Sequence, residues 1–481
     1  MLNQKLLYKI LGHLLLLEAM MMAVCLSISL LYKEDDVFAF TCSTLATIAL
    51  GTSFCYKGIN VENRMSRRDA YLIVSATWIA FSLVGTLPYI IGGYAGSFTD
   101  AFFECMANFT TTGVSVINSK LPHGLLFWRS LTQWIGGLGI VFFTIAILPS
   151  FVGGDVKIFA AEATGPTRSR LHPRLSTNSK WIWVVYITLT AACAACLSLA
   201  GMDVFDSINY GMATTATGGC TTHEESVAFF HSPAIEYIEI VFMFLAGLNF
   251  TMLYSVVMKL NISKLLHDTE AKFYIFITAA FTAAVALMLF MRNGYDIEHA
   301  TRSALFEVVS IITSTGVYAE DVSLWPHLTW FFLGICMLTG ACAGSTSGGM
   351  KCIRVVMLLQ VVRNEFRRIL HPKAVLPVKV NGNVVTTSVQ TTLLAFITML
   401  GLIVMLSIAV FSYLGLPLEK ATLVTISTVS NCGPSLGVGL SVDWSALPFV
   451  GKWLCTALML VGRLEIFSVL VIFTRSYWDD H

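Results

Sequence analysis

Thr110-Thr111-Thr112-Gly113-Val114-Ser115-Val116 is a polar, glycine-centred segment set in apolar sequence. Versions recur at Thr215-Ala216-Thr217-Gly218-Gly219, Thr313-Ser314-Thr315-Gly316-Val317 and Ser430-Asn431-Cys432-Gly433-Pro434. Gly113, Gly218, Gly316 and Gly433 lie 105, 98 and 117 residues apart. The chemistry open to them is cation coordination. A cation entering a membrane must exchange its water for other oxygens, and backbone carbonyls can supply them. Glycine permits the dihedrals that turn successive carbonyls to one side. The residues expected to line such a path are Thr111, Thr112 and Gly113; Ala216, Thr217 and Gly218; Ser314, Thr315 and Gly316; Asn431, Cys432 and Gly433. One loop of this kind is only a glycine-marked turn. Four at a common period point to one device, an ion selectivity filter with four non-identical sides. No ring of carboxylates accompanies it, which argues against a calcium-type filter and for a monovalent ion held by carbonyls. Such filters suit potassium, but composition does not separate potassium from sodium.

These loops need elements to hold them at membrane depth. Apolar residues make up 56% of the chain and charged residues 12%, with a mean hydropathy of +0.74. Soluble domains carry about 25% charged residues, so the chain reads as an all-α polytopic membrane protein. A net charge of +1 argues against nucleic acid as a partner. The run Leu6–Leu31 is too long for a signal-peptide core and reads as a retained span. It carries His13 and Glu18, read as structural.

Ten spans are expected. Two, Leu6–Leu31 and Val37–Tyr56, lead the chain within residues 1–69. Four repeats follow at 70–152, 153–262, 263–380 and 381–481. Each has a span, a short apolar run, the polar loop and a second span. The first spans are Tyr71–Ile91, Trp181–Ala200, Phe273–Met291 and Val385–Leu414. The second spans are Leu125–Ser150, Ala234–Leu260, Leu328 onward and Phe449–Thr474. The short runs are too brief to cross about 30 Å of hydrocarbon, so each dips in and returns. Irregular backbone at that depth must be buried in protein or line water. Four re-entrant loops therefore meet around one pseudo-fourfold axis. Their helices point partly negative C-terminal ends at the membrane centre, which favours a cation there.

Two further features lie at membrane depth. Gly340-Ala341-Cys342-Ala343-Gly344-Ser345-Thr346-Ser347-Gly348-Gly349-Met350-Lys351 interrupts the second span of the third repeat. It lacks the glycine-lysine-hydroxyl order of a phosphate loop and reads as an unwound segment below the filter, against the alternative of a kinked packing site. Arg463 lies in the last span. A central arginine is costly in a membrane, so it is expected to have either a carboxylate partner or a barrier role below the filter. Cys193-Ala194-Ala195-Cys196 lies in a span and reads as small-residue packing. HExxH does not occur, and no enzyme is expected.

Basic residues gather in the loops opposite the filter. They include Lys57, Arg68, Lys157, Arg174, Lys264 and the stretch from Arg363 to Lys379. That side is therefore expected to be cytoplasmic, with both termini inside. The other face carries Asp100, Asp206, Glu224, Glu320 and Asp443, an acidic mouth or ordinary solvated charge.

The four filter segments, the Gly340–Lys351 stretch and Gly462-Arg463-Leu464-Glu465-Ile466-Phe467 together resemble the Trk/Ktr/HKT superfamily of potassium transporters over the full length, leading spans included. The resemblance implies that each filter glycine faces potassium, and that Gly113, where serine goes with sodium passage, favours potassium. It implies an intramembrane gate at Gly340–Met350 and an arginine barrier at Arg463. It also implies a homodimer in the bacterial inner membrane, docked to a cytosolic nucleotide-binding ring of TrkA type, with no cofactor beyond the transported potassium ion. Arg363–Lys379 and the Lys157–Lys180 loop are candidate docking surfaces. A symporter coupling potassium to sodium or protons is the alternative.

Overall fold

The computed structural model describes residues 3–59, 66–117, 120–139, 175–259, 263–433 and 442–479. The chain is mostly helical. Six helices are long and apolar enough to cross a membrane: Gln4–Tyr32, Val37–Lys57, Arg68–Ile91, Lys180–Leu199, Thr269–Asn293 and Thr387–Tyr413. They match the two leading spans and the four first spans of the repeats.

The principal helices are labelled α1 (Gln4–Tyr32), α2 (Val37–Lys57), α3 (Arg67–Gly85), α4 (Leu87–Ile91), α5 (Phe98–Phe109), α6 (His123–Leu138), α7 (Leu175–Leu199), α8 (Val204–Ala216) and α9 (Pro233–Ala246). They continue as α10 (Phe250–Lys259), α11 (Thr269–Met288), α12 (Ile297–Ile312), α13 (His327–Thr339), α14 (Cys352–Leu370), α15 (Thr387–Tyr413), α16 (Leu418–Ser430), α17 (Phe449–Leu464) and α18 (Ile466–Leu470). One antiparallel pair, Lys379–Val380 with Asn383–Val384, follows α14.

Helices α5, α8, α12 and α16 hold 12, 13, 16 and 13 residues. At about 1.5 Å per residue each is shorter than the hydrocarbon core. Each carries an acidic residue in its first turn: Asp100, Asp206, Glu298 and Glu419. Carboxylates there complement the partly positive helix start. Ser97 and Asp203 cap α5 and α8, accepting from Asp100 N at 3.1 Å and Phe205 N at 3.0 Å.

The second spans of the repeats depart from the expectation of unbroken helices. The expected span Ala234–Leu260 divides at Gly247–Asn249, and its halves meet at 109°. The expected span Phe449–Thr474 divides at Glu465, with a bend of 113°. In the third repeat α13 stops at Thr339, as the glycine-rich stretch led one to expect. In the first, α6 stops at Leu138 and Gly139 takes a positive φ of 83°; the rest of the expected span, to Ser150, lies outside the described residues. The breaks have local causes. Asn249 Oδ1 accepts from Thr251 N at 2.9 Å and caps the new helix. A side chain on Gly247 would approach the Tyr274 hydroxyl to 2.5 Å, so the backbone passes close there. Glu465 is held at φ 64°, a conformation that costs a non-glycine residue roughly 1–3 kcal/mol. Its carboxylate accepts from Arg354 Nη2 at 2.6 Å, which fixes it.

Packing centres on the short helices. Every residue of α5 from Ala101 to Phe109 is buried. Trp128 of α6 donates to Gly85 O at 3.3 Å, and its ring meets Phe109 edge-on. Helices α1 and α2 pack through glycines: a Cβ on Gly12 would lie 2.6 Å from Cys55 N. Small residues let membrane helices approach this closely. His13 Nδ1 bonds Lys9 O at 2.7 Å, a local role in keeping with the structural reading. Cys193 is buried and Cys196 half-buried, both as free thiols.

Candidate functional site

Each short helix ends at a residue in the left-handed region: Thr111 (φ 54°), Thr217 (φ 53°), Ser314 (φ 59°) and Asn431 (φ 48°). The next amide turns back onto its helix. Thr112 N meets Ala107 O, Gly218 N meets Ala213 O and Thr315 N meets Ser310 O, each at 2.8 Å. Cys432 N meets Ser427 O at 3.0 Å. A glycine then follows, with φ of 77° at Gly113, 82° at Gly219 and 75° at Gly316.

This frame corrects the register of the second loop. Gly219, not Gly218, is the counterpart of Gly113, Gly316 and Gly433. Gly218 stands level with Thr112, Thr217 with Thr111, and Ala216 with Thr110. The sequence alone points to Gly218, the first of two adjacent glycines, and the helix cap at Thr217 moves the position by one. Gly219 is the residue that spacing alone missed.

The four loops touch in sequence order. A Cβ on Gly113 would lie 2.6 Å from Gly218 O and 3.0 Å from Gly219 Cα. One on Gly219 would strike Thr315 O, and one on Gly316 would strike Gly433 O. One on Gly433 would strike Thr112 O and lie 2.9 Å from Gly113 O. First meets second, second meets third, third meets fourth, and fourth meets first. Carbonyls therefore crowd at a closed ring with no room for a side chain at these glycines. Hydroxyls brace it from behind. Thr110 Oγ1 lies 2.8 Å from Thr112 Oγ1, and Thr313 Oγ1 lies 2.7 Å from Thr315 Oγ1. Asn431 Nδ2 donates to Thr112 Oγ1 at 3.1 Å, joining the fourth loop to the first.

The Gly340–Met350 stretch is packed against the inner ends of these loops. Thr346 Oγ1 donates to Thr215 O of the second repeat at 3.1 Å. Gly348 N donates to Ser314 Oγ of the third at 3.1 Å, and Gly349 N to Ser430 O of the fourth at 2.9 Å. Ser347 Oγ lies 3.2 Å from Ser314 Oγ. Lys351 Nζ donates to Ser347 O. At the neck of the loop, Cys352 N donates to Ala341 O at 2.9 Å and Phe250 N to Gly344 O at 3.0 Å. Ser345 Oγ donates to Cys342 O at 2.6 Å, and Gly340 takes a φ of 67° where α13 ends. Glu270 Oε1 accepts both Ala343 N at 2.6 Å and Ile353 N at 3.1 Å, pinning the two ends together.

Arg463 completes the cover. Its guanidinium donates to Thr346 O at 2.8 Å, to Gly136 O at 2.7 Å and to Gly137 O. One side chain of the fourth repeat thus ties the third-repeat loop to the end of α6 in the first. The second, third and fourth loops bond this layer directly, and the first repeat joins it through the end of α6.

On the other face several acidic residues are already engaged. Asp100 pairs with Lys452 at 2.6 Å, Asp206 with His223 at 2.9 Å, and Glu320 with His299. Asp443 is held below the usual carboxylate range by the Ser445 hydroxyl. Of these contacts only the Lys452–Asp100 pair sets a fixed positive charge against an outer carboxylate; the hydrogen bonds give the other acids structural partners without removing their charge. Among the described residues no three His, Cys, Asp or Glu side chains group as a metal site.

Long apolar helices around a closed ring of glycine loops, each at the end of a short helix, define a membrane-embedded protein. The chain belongs to the TrkH family of cation transport proteins, whose model matches residues 37–479. It is a family of transporters and not of enzymes. The Trk system potassium uptake protein TrkH of Halomonas elongata is 34% identical over 478 residues, 98% of this chain and 99% of that one. Its namesake from Escherichia coli K12 is 32% identical over 477 residues, again 98% and 99%. The crystal structure of the potassium transporter TrkH from Vibrio parahaemolyticus superposes with a TM-score of 0.90 at 31% identity, covering 99% of this chain and 100% of that one.

Proposed function

We propose that this chain is the membrane subunit of a Trk-type potassium uptake system, with the glycine ring as its selectivity filter and Gly340–Met350 as its gate. The observation that carries this reading is the closed contact of the four loops through Gly113, Gly219, Gly316 and Gly433. Their carbonyls replace the water of a potassium ion, and the four repeats stand around one axis. Uptake is passive and driven by the membrane potential. The filter faces outward, both termini are cytoplasmic, and the protein resides in the bacterial inner membrane. It works as a homodimer and docks a cytosolic nucleotide-binding ring of TrkA type. The exposed basic segment from Arg363 to Lys379 on and after α14 supplies a docking surface on the gate's own side. The Lys157–Lys180 loop, up to residue 174, lies outside the described residues. Membrane lipid covers the apolar exterior of α15, where Leu402, Met405 and Leu406 are exposed.

Reconstitution into liposomes tests the mode of transport. A channel gives a current whose reversal follows the potassium gradient alone. A symporter gives a reversal that moves with the sodium or proton gradient, and that result would overturn the passive reading.

Arg463 carries a separate prediction. A positive charge about 8 Å from a cation, at an effective dielectric near 20, opposes it by about 2 kcal/mol. A potential of 100 mV pulls one charge with about 2.3 kcal/mol. The two are comparable, so the arginine restrains flux without abolishing it. Arg463→Ala removes this charge and releases Thr346 O. Potassium flux per folded protein is expected to rise by up to about tenfold after allowance for screening. Failure of the purified variant to assemble would assign Arg463 a structural role instead.

A further inference from the structure

Two buried carboxylates stand behind the ring at matching places. Glu104 on α5 and Glu307 on α12 each precede their loop glycine, Gly113 and Gly316, by nine residues. Glu104 is fully buried and Glu307 is 3% exposed. Each reaches over its loop to the segment beyond the glycine. Glu104 Oε2 accepts Val116 N at 3.0 Å and Ser115 Oγ at 2.9 Å. Glu307 Oε1 accepts Ala319 N at 3.3 Å. In both cases the amide lies twelve residues after the carboxylate. Arg129 of α6 approaches Glu104 to 3.2 Å.

The other two sides of the ring are built differently. The position nine before Gly219 is Tyr210, whose hydroxyl donates to Ser226 O at 2.9 Å. The position nine before Gly433 is Val424. Carboxylate braces therefore stand on the first and third loops, which face each other across a ring whose loops touch in sequence order.

A buried amide without an acceptor is costly, by about 1–3 kcal/mol. The carboxylates thus help hold Val114–Val116 and Val317–Ala319 in place directly beyond the glycines; in the third loop Val317 O is held in turn by Ser310 Oγ and Tyr318 O by Val227 N, so the segment acts on the ring through its backbone. Where the size of the carbonyl cage separates monovalent cations, the stiffness of those segments matters. We infer that Glu104 and Glu307 are positioning residues for ion selectivity, setting the carbonyls of two opposite sides of the ring through backbone amides twelve residues on. The inference rests on the ring being the cation path.

The test uses full-length protein in liposomes and reads the potassium-to-sodium permeability ratio from bi-ionic reversal potentials. Glu307→Leu removes the acceptor and keeps similar bulk. The ratio is expected to fall by about threefold to tenfold, the scale of one buried hydrogen bond. Glu307→Gln keeps an acceptor oxygen and is expected to restore the ratio to within about twofold. Ser115→Ala removes the hydroxyl that bonds Glu104 and accepts Ile117 N at 3.2 Å, loosening the braced segment at a partly exposed site while leaving the Val116 amide bond, so it tests the idea even if Glu307→Leu does not fold; a fall of about twofold to threefold is expected. Wild-type ratios in Ser115→Ala, or in a folded Glu307→Leu, would overturn the inference. So would Glu307→Gln losing as much selectivity as the leucine variant. If the unmodified protein itself prefers no cation, the ring reading fails first, which separates the two failures.

Discussion

Gly113→Ser is expected to lower the potassium-to-sodium permeability ratio by about tenfold, equivalent to about 1.4 kcal/mol between the two ions. Gly113 sits at φ 77°, where an L side chain is strained. The serine Cβ would lie 2.6 Å from Gly218 O and 3.0 Å from Gly219 Cα. Neither atom belongs to a flexible side chain, so the backbone of the second loop must move. A carbonyl displaced on one side changes the cage for every ion that passes. Bi-ionic reversal potentials of the purified variant report the ratio directly. An unchanged ratio in folded protein would place Gly113 away from the ion.

Removing Ser345 to Gly349 is expected to raise basal potassium flux by about fivefold to tenfold, the scale of one or two lost hydrogen bonds in the cover, and to weaken dependence on the cytosolic partner. The deleted tip contains the groups that bond Thr215 O, Ser314 Oγ, Ser430 O and Arg463. Part of the neck is held without the tip, although Ala341 N and Lys351 Nζ lose Ser347 as their acceptor. Ala341 and Cys352 bond each other, and Glu270 holds Ala343 N and Ile353 N from α11. The shortened protein should therefore fold and keep its ion preference. Flux is compared in liposomes at matched protein density, with and without partner. Wild-type flux and intact partner dependence would make the stretch a packing element.

The ring was legible because glycine and hydroxyl residues are conspicuous against apolar sequence and recur at one spacing. The third-repeat break was legible for the same reason. The breaks at Gly247–Asn249 and Glu465 were not, because apolar residues continue on both sides and hydropathy does not register a turn within a hydrophobic run. Their signals were small: an asparagine able to cap after Gly247, and a glutamate two residues past an arginine at membrane depth. The one-residue shift at Gly219 depends on where α8 unwinds, which a Gly-Gly pair does not reveal. Arg463 was picked out by its cost in a membrane. Its hydrogen bonds to carbonyls on two other repeats come from the tertiary fold. Glu104 and Glu307 passed unnoticed, although their equal distance from a loop glycine was visible in the chain.

The central claim is that the ring of four glycine loops carries potassium in preference to sodium. Purified wild-type protein in liposomes, with potassium on one side and sodium on the other, gives a single reversal potential. The account predicts a shift showing clear preference for potassium, with rubidium close behind it. A reversal potential near zero, meaning equal passage of potassium and sodium, would contradict it.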